Sequence, residues 1–90
     1  MVAVTLPPAG FPQPATLDEA REVLWRQRPA RGADPRELVA FHRHSAQVYA
    51  QVARVDLRHR YEATQCAGLE MRQARKIEEQ LDPSLGGDGS

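Results

Sequence analysis

Ninety residues allow one domain at most. Twelve basic and twelve acidic side chains cancel, which excludes a whole-chain electrostatic attraction to nucleic acid or to an anionic membrane. The single cysteine, Cys66, excludes an internal disulfide and a cysteine-built zinc centre, and suits a buried structural thiol in a reducing compartment.

Residues 1–15 carry Pro7, Pro8, Pro12 and Pro14, which disfavour helix and deny a strand its donors, so this segment is expected to be disordered. The opening Met-Val-Ala-Val-Thr-Leu run lacks a basic flank and meets prolines before an apolar core of signal-peptide length can form. No segment approaches the length needed to span a bilayer, so a cytoplasmic location without membrane contact is expected.

Thr16-Leu17-Asp18-Glu19 reads as a capping box and starts a helix over 17–28. Leu17, Ala20, Val23 and Leu24 share its apolar face, Trp25 lies beside that face where its ring could lock the helix onto its neighbours, and Pro29 stops it. Asp34-Pro35-Arg36-Glu37 repeats the start signal, and Leu38, Phe41, Ser45, Val48, Val52 and Val55 carry a second helix over 35–55. Arg36, Arg43, Gln47, Gln51 and Arg54 fill its opposite side.

After Asp56, the residues Leu57, Tyr61, Thr64, Ala67, Gly68, Met71, Ala74, Ile77 and Leu81 mark a third apolar stripe over 57–81. Gly68 lies inside this helix at a propensity cost of roughly 1 kcal/mol against alanine, which a close approach by another helix would explain. Residues 82–90, with Pro83, Gly86, Gly87 and Gly89, read as a Gly-rich disordered tail. Period-two alternation is absent, so no strand is expected.

These elements predict an all-α, three-helix module over 16–81. Its frame is an antiparallel helical hairpin, 35–55 against 57–81, with helix 17–28 laid across it. With no Gly or Pro near Asp56, a single continuous rod pairing with another chain stays open as the alternative. The expected shared core is Phe41, Val48, Val52, Tyr61 and Met71.

Candidate chemistry is sparse. His42 and His44 are two apart on one helix and point to different sides, while His59 and Glu62 form at best half a metal site. The histidines and their neighbouring arginines are read as wet helix faces. Ser45 and Cys66 lack an evident activating base, and Cys66 sits one turn from Glu62 and Glu70, which would raise a thiol pKa. No catalytic residue, metal site or cofactor is therefore expected, and the chain is read as a non-enzyme.

Eleven arginines against one lysine fit either anion recognition or a coding bias, and the bias is the simpler reading. Arg26, Arg28, Arg31 and Arg36 cluster at the first junction, and Arg54, Arg58 and Arg60 near the second. Acidic residues interleave with both, so nucleic-acid binding is the subordinate reading.

The order Ala46-x-x-Tyr49-x-x-Val52-Ala53-x-Val55-Asp56, then Tyr61-Glu62-Ala63, resembles one tetratricopeptide-repeat hairpin, without a second copy at the repeat period. Thr16 to Ala20, Arg28-Pro29 and His42 to Ala53 resemble a group of small uncharacterised actinobacterial helical proteins. That resemblance implies one small helical module and no activity. The function expected is a protein–protein interaction or accessory module, with homodimer formation expected. Its partner surface would use Ala67, Gly68, Met71 and Trp25. An accessory nucleic-acid-binding factor using Arg54, Arg58 and Arg60 is the alternative.

Overall fold

Local capping chemistry sets where each helix begins. The computed structural model describes residues 13–82 and contains α1 (Leu17–Gln27), α2 (Pro35–Val55) and α3 (Arg60–Leu81), with a 3-10 turn, Leu57–His59, between the last two. The disordered segments expected at 1–15 and 82–90 lie outside the described residues, apart from 13–15 and Asp82. The described residues contain no strand.

Thr16 holds extended backbone and its Oγ1 accepts from the Glu19 N–H at 3.1 Å, satisfying one free donor of the first turn. The reciprocal arm of the capping box is displaced by one residue, since the Glu19 carboxylate accepts from the Ala15 N–H at 2.8 Å. Helix α1 ends at Gln27 rather than Arg28, because Arg28 precedes Pro29 and takes the extended ψ of 132° that proline imposes on its predecessor. The Ala33 N–H then donates to the Ala30 carbonyl at 3.0 Å, with Gly32 at φ 81° in the position that a type II turn reserves for glycine. Asp34 caps α2 by accepting from the Arg36 N–H at 2.8 Å, with Pro35 as the first helical residue.

Asp56 ends α2, and the 3-10 turn after it reverses the chain. The two long helices therefore form an antiparallel hairpin and not a rod. His42 and Arg43 of α2 reach Glu70 and Glu78 of α3, while Asp56 and His59 close the opposite end. Helix α1 runs antiparallel alongside α2, its first amide bonded to Asp56 and its last side chain, Gln27, bonded to His44.

Leu17, Ala20 and Leu24 of α1, Tyr49, Val52 and Ala53 of α2 and Ala63 of α3 make one buried cluster. Phe41, Val48, Cys66 and Ala67 are half-buried against it. The expected core is therefore corrected. Of Phe41, Val48, Val52, Tyr61 and Met71, only Val52 is fully enclosed, while Tyr61 is 77% and Met71 37% exposed. Ala63, Ala67, Glu70 and Ala74 face inward, each one residue before Thr64, Gly68, Met71 and Arg75 on the outward side. One residue is about 100° around a helix. Of the expected α3 stripe, Leu57, Tyr61, Thr64, Gly68 and Met71 thus point away from the hairpin, whereas Ala67, Ala74 and Ile77 do face in.

Candidate functional site

Among the described residues a concavity lies between α1 and α2, with α3 contributing Glu70. It encloses about 450 Å³, within the range typical of small-molecule sites. Leu24, Trp25, Leu38 and Phe41 supply its apolar wall, and Arg21, Arg28, His42, Ser45, Tyr49 and Glu70 its polar lining.

Several of the polar groups meet a neighbouring side chain. His42 Nδ1 lies 2.6 Å from Glu70 Oε1, joining α2 to α3 beneath the cleft. The Phe41 ring meets the His42 imidazole edge-on at 5.6 Å between centroids. Arg21 of α1 lies near the Tyr49 side chain. Burial raises the Tyr49 pKa above the ordinary tyrosine value, and the nearby Cys66 and Glu70 push the same way against Arg21. The phenol therefore stays a hydrogen-bonding neutral group well into the alkaline range.

Two features are unusual. Ser45 is 1% exposed and its Oγ has no hydrogen-bond partner. Arg28 stacks its guanidinium 4.5 Å from the Trp25 ring centroid, outside the end of α1. Trp25 itself is 69% exposed, so its ring does not lock α1 onto the hairpin but forms a platform for Arg28 at the cleft.

His42 and Ser45 place an imidazole and a hydroxyl one turn apart on α2, with the Glu70 carboxylate of α3 against the imidazole. The Ser45 hydroxyl makes no bond to the ring, so the nucleophile–base contact of a hydrolase is not formed. Among the described residues, no group of three His, Cys, Asp or Glu side chains has the geometry to hold a metal ion. His42 and His44 do diverge, toward Glu70 and Gln27, but both are partnered and half-buried rather than wet. His59 bonds Asp56 and not Glu62.

A second surface is the outer side of α3. Leu57, Tyr61, Thr64, Gly68 and Met71 follow one another at steps of three and four, and all are exposed. A Cβ added to Gly68 would meet nothing within 4 Å, so none of the described helices approaches it. Of the residues expected at a partner surface, Gly68 and Met71 lie here together. Ala67 turns toward the core, and Trp25 belongs to the cleft.

Arg54, Arg58 and Arg60 are exposed, and among the described residues their guanidinium groups make no ion pair or hydrogen bond. The periodicity that located the helices gave no sign of the cleft. The available signal was His42, Ser45 and Tyr49, three polar residues at three- and four-residue spacing on the buried side of α2.

No helix among the described residues is long and apolar enough to cross a membrane. Comparison of the chain with models of known families, with curated proteins and with solved structures gives no match.

Proposed function

We propose that this chain is a non-enzymatic helical module that binds protein, a partner or a second copy of itself, through the outer face of α3. The observation that carries the reading is the open stripe of Tyr61, Gly68 and Met71 on a helix whose opposite side is already packed, with Leu57 exposed in the turn before it. Tyr61 and Gly68 are seven residues apart, about two helical turns, so an antiparallel second copy sets each tyrosine ring on the other copy's bare glycine.

Sedimentation equilibrium across a wide protein concentration range tests self-association. The expected result is a dimer mass that Gly68→Leu abolishes while helical circular dichroism is retained. For an unlike partner, capture from native cell extract should succeed with the wild type and fail with Tyr61→Ser. A monomer at high concentration, together with identical captures by both proteins, ends this reading.

The unpaired Arg54, Arg58 and Arg60 favour a second reading, an accessory nucleic-acid-binding factor. Its mark would be affinity for mixed-sequence RNA or DNA that falls steeply with salt and is lost in Arg54→Ala with Arg58→Ala. Binding that is insensitive to salt or to these substitutions would eliminate it.

A further inference from the structure

We propose that the cleft between α1 and α2 is a binding site for a small organic acid, one carboxylate joined to a flat apolar body. The site is separate from the outer face of α3, since none of Leu57, Tyr61, Gly68 or Met71 lines it.

The charge in the lining selects an anion. Arg21 and Arg28 are the two fixed cations, and the one carboxylate, Glu70, is already engaged by His42 at 2.6 Å. The Arg28 guanidinium makes no hydrogen bond or ion pair among the described residues and is held by its stack on Trp25. Stacking holds the guanidinium plane still and leaves its edge of N–H donors free. That is the arrangement in which a carboxylate is taken by two parallel hydrogen bonds. Arg21 lies on the same lining, near Tyr49.

The remainder of the wall selects the body of the ligand. Leu24, Trp25, Leu38 and Phe41 offer apolar and aromatic surface between the two arginines. A planar ring fits such a slot, and burying it there removes apolar area from water. Behind this wall lies Ser45, closed to solvent. Its hydroxyl is buried at the cleft without a partner, although a helical serine ordinarily bonds a preceding carbonyl or reaches solvent.

Trp25 is the only tryptophan, so its emission reports on the cleft directly. The full chain is titrated with phenylpropionate, and separately with phenylpropanol and with inorganic phosphate. Phenylpropionate should change the emission saturably with a Kd of about 1 mM, the scale that its few heavy atoms permit. The neutral alcohol and phosphate alone should not. Arg28→Gln should weaken binding about tenfold or more, as expected for a lost charged hydrogen bond, with circular dichroism unchanged. Tyr61→Ser should leave it intact, which separates this site from the α3 face. Equal responses to acid and alcohol, an Arg28→Gln variant that binds as well as the wild type, or no saturation by about 10 mM would each overturn the proposal.

Discussion

The Asp56 carboxylate shows what a single side chain does in this fold. Oδ2 accepts from the Leu17 N–H at 3.0 Å and lies 2.9 Å from His59 Nδ1, so one group touches the start of α1, the end of α2 and the turn before α3. The Leu17 amide is the main reason its pKa falls below the ordinary carboxylate value, with His59 assisting. A depressed folded-state pKa means that the contribution to stability is present above the unfolded value, about 3.9, and disappears as pH falls through the folded one. Asp56→Asn is therefore expected to melt lower than the wild type at neutral pH, with the gap closing under acid conditions. Melting temperatures from pH 7 downward check this, and parallel curves would contradict it. Thr16, Asp34 and Pro35 were legible as helix starts because a cap acts within three residues. The bond from Leu17 to Asp56 spans 39 positions and the His42–Glu70 pair 28, and no local pattern encodes such distances.

The helices themselves followed from periodicity, and α2 begins and ends where its signals place it. Helix α3 shows where periodicity misleads. Large apolar side chains at Leu57, Tyr61 and Met71 draw the eye to one face, whereas the face turned inward carries Ala63, Cys66, Ala67, Glu70 and Ala74. Small residues there let two helix backbones approach, and a His–Glu pair occupies a place that a hydrophobicity scale counts as surface. Ala63 is fully buried, so Ala63→Leu should overpack the seam and cost about 1–3 kcal/mol. Tyr61→Ala should stay within about 0.5 kcal/mol at concentrations where the chain is monomeric. Urea denaturation ranks the two, and the reverse order would return Tyr61 to the core.

At the scale of the whole molecule, a short α1 rests on a long hairpin, and the two parts differ in how they come together. The hairpin closes across a turn of a few residues, so its pairing involves little loop entropy. Helix α1 has only 11 residues, too few for lasting helicity alone, and its buried side chains join a cluster drawn from both α2 and α3. Its docking site exists only after the hairpin has formed. Folding should then be ordered in time, hairpin first and α1 last, with Asp56 registering the late arrival. Chevron kinetics make this concrete. Leu17→Ala and Leu24→Ala, on α1, should mainly accelerate unfolding, whereas Ala63→Gly, on the hairpin seam, should mainly slow folding. A folding limb slowed as much by the α1 substitutions as by Ala63→Gly would place α1 in the nucleus. With the expected order, the cleft that α1 walls is the last part of the molecule to appear and the first to open, which sets the lifetime of anything held in it.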